Sequence, residues 1–307
     1  MRKISMLLLA FAMVAGIVTL DSCQSTKTST ASKMLKFNFE KGKSYDYEMI
    51  MNMDQEVMGQ KIKMDMTMYY TLDVKEAEGD TKIITSTYDR FKMAMDMGSM
   101  MSIDMDTDKP LVESEGTDPR KDPMKMVNRL FSAIKGRQFQ LKVNAEGKVL
   151  EVTGMQELAS SIIDSMGLDQ DAPEMKEKMR EAFSKQFNDA DVKSQFERIL
   201  YIFPNKEVKV GDSWEKNTSM SGQMPAKYNS TYTVKEIEGD MVTLEENSKI
   251  TSSNEKMEMD GKVKGTLIVD SRSGLVVSAD QNMNITAKMQ GTSFDIKAVT
   301  KVKGKAH

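Results

Sequence analysis

Residues 45–74 read YDYEMIMNMDQEVMGQKIKMDMTMYYTLDV, a stretch that alternates apolar and polar side chains on both sides of a Met58-Gly59 pair. Alternation with a period of two is typical of a β-strand that buries one face. A two-residue turn at Met58-Gly59 predicts a hairpin whose apolar face is made entirely of apolar pairs. The pairs are Met53 with Met64, Met51 with Met66, Met49 with Met68, and Tyr47 with Tyr70. A slip of one residue would bury the charges of the other face, so this register is strongly specified.

Strand-like alternation continues outward from the hairpin. After a turn at Glu78-Gly79-Asp80, Lys82–Met97 predicts another long strand and Ser102–Asp106 a short partner strand. One face of the long strand carries Phe91, Met93, Met95 and Met97. Three further strands are predicted near the C-terminus, at Leu267–Asp270, Leu275–Met289 and Phe294–Val302.

Three sequence blocks recur in the same order in the two halves of the chain. An ordered set of repeats predicts the internal duplication of a β-rich unit, and chance similarity among hairpins is the alternative. The similar blocks are GKSY at 42–45 and GDSW at 211–214, YTLDVKEAEGD at 70–80 and YTVKEIEGD at 232–240, and LKVNAEGKV at 141–149 and LIVDSRSGL at 267–275.

Between the two halves the apolar period changes to that of a helix. Pro123, the capping-box-like segment 153–156 (TGMQ) and Pro173 each predict the start of a helix, and Asp191 is predicted to cap a fourth that ends before Pro204. The inward side chains of these helices would cover one face or the open end of the sheet.

These patterns predict an α+β fold. A large twisted antiparallel sheet or half-barrel, built from a duplicated β-unit, would hold a helical insert of about four short helices against its concave side. The expected segments are a signal peptide at 1–22, a tether at 23–34, a first β-unit at 35–118, a helical insert with a hairpin near 138–152 at 119–205, and a second β-unit at 206–307.

The first 23 residues predict export. Arg2 and Lys3 precede the apolar run Met6–Val18, which is too short to cross a bilayer and has the length of a signal-peptide core. The run ends in LDSC at 20–23, which resembles a bacterial lipobox around the chain's only cysteine. The resemblance implies cleavage before Cys23, with diacylglycerol and an N-acyl chain such as palmitate on that residue. An ordinary secretory signal with an unrelated cysteine is the alternative.

Location and partners follow from the segment after the lipobox. Residues 24–33 (QSTKTSTASK) are small and polar, which predicts a flexible tether. Gln24 differs from the aspartate that holds enterobacterial lipoproteins at the inner membrane, and the tether lacks the acidic residues associated with surface export in Bacteroidota. These resemblances imply the outer membrane, facing the periplasm, with the membrane as partner through the lipid. The net charge of −3 and the absence of a basic stripe argue against nucleic acid.

The 30 methionines cluster on the predicted strands, and three interpretations compete. Methionine replaces leucine or valine at little cost, so the stripes could be ordinary core. Unbranched thioethers also adapt to apolar ligands such as acyl chains. Candidates for such a surface are Met49, Met51, Met53, Met64, Met66, Met68, Met93, Met95 and Met97. Thioethers ligate Cu(I) and Ag(I) as well, and Met95, Met97, Met100 and Met101 could converge on one ion across a Gly98-Ser99 turn.

Signs of enzyme chemistry are few. The only histidine is His307, which argues against a histidine-based triad or metal site, and no nucleophile-elbow, zincin, P-loop or dinucleotide-binding motif occurs. The carboxylates alternate with Lys and Thr as on a solvated strand face, and Trp214 is expected to be a core anchor. We therefore expect no catalytic residue, no enzyme activity and no cofactor beyond the lipid on Cys23.

Segments spread over nearly all of the mature chain resemble an uncharacterised family of Bacteroidota lipoproteins grouped as a domain of unknown function. They are the lipobox, GKSYDY at 42–47, FQL at 139–141 running into GKV at 147–149, and FPNKEVKVGDSW at 203–214. The resemblance implies no known activity. With the methionine stripes, it leads us to expect a non-enzymatic lipoprotein that binds a hydrophobic or amphipathic ligand on its sheet. The alternatives are a Cu(I)- or Ag(I)-binding protein and a structural or protein-interaction lipoprotein of the envelope.

Overall fold

The structure, a computed structural model, describes residues 32–57, 59–98, 102–109, 129, 132–165, 173–186, 188–221, 225–252, 257–289 and 292–307. Its strands are β1 Lys33–Leu35, β2 Ser44–Val57, β3 Gln60–Glu78, β4 Thr81–Asp96, β5 Ser102–Asp106, β6 Gln138–Val143, β7 Val149–Thr153, β8 Lys206–Val208, β9 Ser213–Met220, β10 Ala226–Glu238, β11 Met241–Ser252, β12 Met257–Asp270, β13 Leu275–Met289 and β14 Thr292–Ala306. Its helices are α1 Met155–Ser165, α2 Pro173–Gln186 and α3 Asp189–Leu200, and residues 132–134 are also helical.

One antiparallel sheet of 12 strands dominates the molecule. The strand order is β7-β6-β4-β3-β2-β14-β13-β12-β11-β10-β9, with β5 paired to β4 beside β6. Two meanders therefore lie side by side, β2 to β7 in one half and β9 to β13 in the other, and β14 joins them. The predicted α+β class with one large antiparallel sheet is confirmed.

The predicted hairpin forms in the predicted register. Met53 lies opposite Met64, Met51 opposite Met66, Met49 opposite Met68, and Tyr47 opposite Tyr70. On the other face, Asn52 donates a 2.6 Å hydrogen bond to Asp65, and the Tyr69 hydroxyl donates one of 2.9 Å to Glu48. Each face of the hairpin is thus matched in polarity across the strands, as the alternation requires.

The other predicted strands also form, but the strand predicted at Leu267–Asp270 is only the end of β12, which begins at Met257. Strand β5 covers Ser102–Asp106 and pairs with β4, and β13 covers Leu275–Met289 as predicted. The hairpin expected within the helical insert is β6–β7, and the structure joins it to the large sheet through β4. The first meander therefore extends to residue 153, past the residue-118 boundary expected for the first β-unit.

The two meanders share local geometry at matching positions. Each begins with a glycine turn that exchanges two backbone hydrogen bonds with the end of its second strand. These bonds join Gly42 N to Val74 O and Val74 N to Lys43 O in the first meander, and Gly211 N to Val234 O and Val234 N to Asp212 O in the second. The strand pairing also shifts register at matching positions. The shift at Val74/Glu76 in the first meander matches the one at Val234/Glu236 in the second. The shift at Lys142/Val143 likewise matches the one at Ile268/Val269.

The helices begin near their predicted positions, with one correction. Helices α1 and α2 begin at Met155 and Pro173, whereas most of the helix predicted from Pro123 lies outside the described residues. The prediction that Asp191 caps the last helix was wrong, because the N-cap is Asn188. The Asn188 side chain accepts a 2.9 Å hydrogen bond from the backbone N–H of Asp191, which satisfies a free donor of the first turn.

Helix α3 contacts both edge strands of the sheet, β7 and β9. Lys193 donates a 3.2 Å hydrogen bond to the backbone oxygen of Leu150 in β7, and Ser194 lies 3.4 Å from the hydroxyl of Ser221, just after β9. The 2.5 Å ion pair between Lys216 of β9 and Glu146 of the β6–β7 turn spans the same gap. The sheet therefore curls until one helix and one ion pair bridge its two edges.

The main hydrophobic core lies between the sheet and the helices. Strand β1 pairs with β8 to form a small second sheet, so Lys33 and Met34, expected at the end of the tether, are ordered in a strand. The side chains of Leu35, Phe37 and Phe39 enter the core and anchor this segment to it. Within the described ranges, no helix combines the length and the apolarity needed to cross a bilayer.

Phe196 is the aromatic side chain that α3 inserts into the core. Its ring meets Tyr70 edge-on at 5.8 Å and Phe139 at 5.6 Å between centroids. We expect Phe196→Ala to lower the free energy of unfolding by about 3–5 kcal/mol, because the substitution leaves a cavity under the helix. Urea unfolding followed by circular dichroism measures the loss. Gln195→Ala, on the exposed side of the same helix, is the control, and an equal loss there would contradict the packing argument.

Candidate functional site

The inner face of the sheet is the face that carries the main core and receives helix α3. Eight of the nine methionines proposed as ligand-binding are half-buried, and Met93 is buried at 8% exposure. Met97 lies just beyond the end of β4. We define the methionine face as the inward methionines of four adjacent strands: Met49, Met51 and Met53 of β2, Met64, Met66 and Met68 of β3, Met93 and Met95 of β4, and Met105 of β5.

Three hydrophobic clusters surround the centre of this face. Met49 and Met68 pack on the main core, Met53 packs on a second cluster at the other end of the sheet, and Met64 and Met95 pack with Met93 and Met105. Met51 and Met66, opposite each other in the middle, are half-buried. The face is thus continuous with the core at its borders and accessible at its centre.

The structure changes the proposed set of sulfur ligands. Met100 and Met101 lie outside the described residues, so their convergence with Met95 and Met97 stays a prediction. Strand pairing instead gathers Met64, Met66, Met93, Met95 and Met105 on β3, β4 and β5. Met105 could have been found from the alternation of Ser102–Asp106. No group of three or more His, Cys, Asp or Glu side chains placed to hold a metal occurs in the part of the chain that the structure describes.

One cross-strand row of inward residues changes from apolar to polar along its length. Its apolar half is Met105, Met93, Met66 and Met51, and its other half is Thr300, Gln281, Gly265, Glu246, Tyr232 and Trp214. The change occurs between the neighbours Met51 of β2 and Thr300 of β14, at the strand that joins the two meanders. Residues of one row lie at one height in the sheet, so both halves border the same inner space.

Glu246 is the fully buried carboxylate at the centre of the polar half, at 0% exposure. Arg198 of α3 and the Ser248 hydroxyl each donate a 2.5 Å hydrogen bond to its Oε1. The Gln281 amide donates to its Oε2. We call these residues, with Tyr232, the polar cluster. Buried charges are tolerated when they are paired and hydrogen-bonded, and here every oxygen of Glu246 has a partner.

Helix α3 supplies the cation of this cluster. Arg198 stands over the Tyr228 ring, 5.0 Å from its centroid, and its Nη1 lies 3.4 Å from the Tyr232 hydroxyl. Burial by itself lowers the pKa of Arg198, but the neighbouring Glu246 carboxylate outweighs burial and raises it, so the guanidinium stays charged. Burial, with Glu246 adding to it, raises the pKa of Tyr232 to about 12.

Gly265 makes room for the contact between Gln281 and Glu246. Gly265 lies between these two residues in the row, and a Cβ there would come within 2.7 Å of Gln281 Cγ and 2.8 Å of the Asp280 oxygen. Only a residue without a side chain lets Gln281 reach across β12.

Sequence reasoning missed the polar cluster. The carboxylates were assigned to solvated faces, yet Glu246 lies on the buried face of β11. The missed sign is its place among Val242, Leu244, Ser248 and Ile250, where the alternation puts an acid on an apolar face. Trp214 does pack against the main core, as expected, and donates a 2.7 Å hydrogen bond to the Ile202 oxygen.

The opposite face of the sheet is charged. A cavity there is lined by alternating acids, lysines and amides, among them Asp260, Lys262, Lys264, Asn284 and Asp295. Ion pairs such as Lys303 with Glu48 at 2.8 Å tie neighbouring strands together. Exposed pairs of this kind keep the outer face soluble and contribute little to stability.

The buried ion pair gives the first prediction for this site. Arg198→Met and Glu246→Gln should each destabilise the fold by about 3–5 kcal/mol, because each leaves a buried charge without its partner. The double variant should lose less than the sum, since neither charge is left buried and unpaired. Urea unfolding of the four proteins measures this coupling, and additive losses would contradict it.

A second prediction concerns β5, which brings Met105 to the methionine face. Arg90 of β4 holds Asp106 with two hydrogen bonds of 2.7 and 2.9 Å, and this contact lowers the pKa of Asp106 from 3.8 to about 2. Because the folded pKa lies below the ordinary value, the contribution to stability is present above about pH 4 and is lost as the pH falls towards 2. Asp106→Asn should therefore be less stable than the wild type at neutral pH, and the difference should shrink below pH 4.

Denaturant midpoints across this pH range test that expectation. Asp104→Asn is the matched control, because it removes the same charge from an exposed position of β5. A stability difference for Asp106→Asn that persists at pH 2 would count against the ion pair as its source.

Comparison with known proteins shows the family of this chain. Searches of solved structures find lipovitellin, at 9% identity and a TM-score of 0.49, over 88% of this chain and 26% of that one. They also find the translocator domain of the autotransporter NalP from Neisseria meningitidis, at 7% identity and a TM-score of 0.26, over 86% and 88% of the two chains. Ail of Yersinia pestis is found at 6% identity and a TM-score of 0.16, over 87% and 100%.

The chain spans about a quarter of the lipovitellin chain, and these likenesses are too weak to bear on function. A comparison with curated protein sequences returns no match. The model of a family of unknown function, DUF6263, matches residues 79–276, which run from the turn after β3 into β13 and include every member of the polar cluster except Gln281. The chain therefore belongs to the DUF6263 family.

Proposed function

We propose that this chain is a lipid-anchored, non-enzymatic protein of the bacterial envelope that binds an apolar or amphipathic ligand on its methionine face. The observation that carries the proposal is the half-buried state of the central methionines. Side chains of a sealed core are buried on all sides, whereas Met51 and Met66 keep part of their surface accessible between three packed clusters. Thioether chains of this kind adapt to ligands of irregular shape.

Buried hydroxyl groups beside the methionine face support a ligand with some polar character. The Tyr70 hydroxyl, two positions along β3 from Met68, and the Ser86 hydroxyl on β4 are buried and have no hydrogen-bond partner among the described residues. Burial raises the pKa of Tyr70, so its hydroxyl keeps its proton and is a donor. Buried donors without partners are costly, and a water molecule or a polar group of a ligand would satisfy them.

The sequence of residues 1–33 supports the anchor. Cys23 lies outside the described residues, and its lipobox-like context favours cleavage and acylation there. Strand β1 begins at Lys33, ten positions after Cys23, so the folded part would stay within about 35 Å of the membrane. Gln24 and the lack of acidic residues in the tether favour the outer membrane, facing the periplasm, of a Bacteroidota species.

The matching turns and register shifts of the two meanders support an origin by duplication of one β-unit. Under this proposal the two copies diverged on their inner faces. The first copy acquired methionines, and the second acquired the polar cluster with Arg198 of the inserted helix.

Native mass spectrometry of the full chain purified from its own envelope tests the proposal. A mass that falls after organic extraction would reveal a non-covalent hydrophobic ligand, and acyl groups that remain on the extracted chain would reveal lipidation of Cys23. Loss of a copper or silver ion instead would favour the metal-binding alternative. A chain without any bound molecule would favour a structural or protein-interaction role and contradict ligand binding.

A pair of double variants locates the ligand. We expect Met51→Gln with Met66→Gln to lower ligand occupancy by about tenfold, because two amides at the centre of the face must lose their hydration when the ligand binds. Ile50→Gln with Thr67→Gln changes the facing pair on the opposite side of the same strands and should leave occupancy unchanged. Equal occupancy in both double variants would show that the ligand lies elsewhere.

A further inference from the structure

From the charge balance of the polar cluster, we infer that the ligand carries an uncharged hydrogen-bond acceptor, of the acyl-ester type, and that the Arg198–Glu246 pair discriminates against anionic amphiphiles such as free fatty acids. The inference rests on the proposed function, since it specifies the head group of a ligand whose chain lies on the methionine face. It concerns Arg198, Glu246 and Gln281, which face the same inner space as the methionines.

The first step is the geometry of the row. Met51 and Thr300 are direct neighbours on β2 and β14, and Gln281 follows Thr300 on β13. Strands of one sheet lie about 4.8 Å apart, so Gln281 is about 10 Å from the nearest methionine of the row. A molecule with its chain along Met51, Met66 and Met93 would therefore place a head group a few atoms away beside Thr300 and Gln281. The next row of inward residues is divided in the same way. Met53 and Met283 lie in its apolar part, and Ser248 and Ser230 lie in its polar part.

The second step is that the two inward cations described near this row, Arg198 and Lys216, are each paired with a carboxylate. Arg198 is paired with Glu246 at 2.5 Å, and Lys216, on the next row, is paired with Glu146 at 2.5 Å. Burial lowers the pKa of Lys216 and its partner opposes that shift, so this pair adds no free cation either. A ligand carboxylate would place a second negative charge beside Glu246 without a second cation, in surroundings where an unpaired charge is costly.

The third step is that Arg198 has more N–H groups than it has hydrogen bonds within the described part of the chain. The guanidinium of Arg198 has five N–H groups, and its hydrogen bonds within the described part of the chain go to Glu246 and, at 3.4 Å, to Tyr232. Its side chain is 16% exposed, whereas Glu246 is fully buried and has partners for both oxygens. The cluster can therefore donate to a carbonyl oxygen but has no carboxylate oxygen left to accept from a ligand cation.

Three probes that share one acyl chain and differ in the head group test the inference. They are monoolein, which is neutral, oleate, which is anionic, and oleylamine, which is cationic. The full chain is kept in a fluorinated surfactant that mixes poorly with hydrocarbon chains, and binding is followed by the fluorescence of Trp214. This tryptophan stacks on Tyr232 at 6.1 Å, at the end of the polar half of the row. The wild type should bind monoolein about tenfold more tightly than either charged probe.

Glu246→Gln makes the neutral pair positive with almost no change in the size of the side chain. It leaves Arg198 as an unpaired cation, so the affinity for oleate should rise to equal or exceed that for monoolein. Glu245→Gln removes the same charge from the neighbouring residue, whose side chain is on the other face and pairs with Lys235, and should leave the order of affinities unchanged. Circular dichroism confirms that each variant is folded, and the comparison of three probes on the wild type needs no variant.

The outcomes separate the two proposals. Tighter binding of oleate or oleylamine than monoolein by the wild type, or an unchanged order in folded Glu246→Gln, would overturn the head-group inference and leave the methionine face as a ligand site. Binding of none of the probes, together with a bare mass for the native protein, would overturn the proposed function and the inference with it.

Discussion

Helix α3 is the element on which the inner face depends. An antiparallel sheet of this length has two free edges, and here both of them, β7 and β9, contact the same helix. The helix contributes an aromatic ring, Phe196, to the core and a cation, Arg198, to Glu246 on β11. Twisted sheets of this many strands tend to curl, and the helix buries its apolar side where the curl brings both edges near it. Because of this curl, the methionines of one meander and the polar cluster of the other lie around a common space.

Two chemically different surfaces, the methionine face and the polar cluster, border that common space. The methionine face is flexible and apolar, so it can adapt to a chain of variable shape. The polar cluster is held together by hydrogen bonds, because the Glu246 oxygens have partners on α3, β11 and β13 and Gly265 leaves room for Gln281 to reach across β12. A buried pair of this kind contributes little net stability, because its charges are costly to desolvate.

Much of the fold was predictable, and the reasons are local. The β2–β3 register followed from polarity on both faces and from the Met58-Gly59 turn, since a slip of one residue would turn Asp54 and Lys63 inward and the methionines outward. The predictions for Asp191 and Glu246 were wrong because the local sequence around each residue favoured a different position for it. Asp191 has the composition of a helix cap, but Asn188 occupies that position because its side chain accepts from the Asp191 N–H. Glu246 was read as a surface acid because its partner Arg198 lies 48 residues away, on another element.

The sequence by itself determined the strands β2 to β5, β13 and β14 and the register of the β2–β3 hairpin, because these depend on neighbours within a few residues. It also determined that methionines line the inward side of β2, β3 and β4 where these strands pair. Only the tertiary structure decided which strands are neighbours across the sheet, that β14 brings Met51 beside Thr300, and that α3 bridges both edges. Those features depend on pairings between residues far apart in the chain, whose energy comes from burial and charge compensation that no local pattern records.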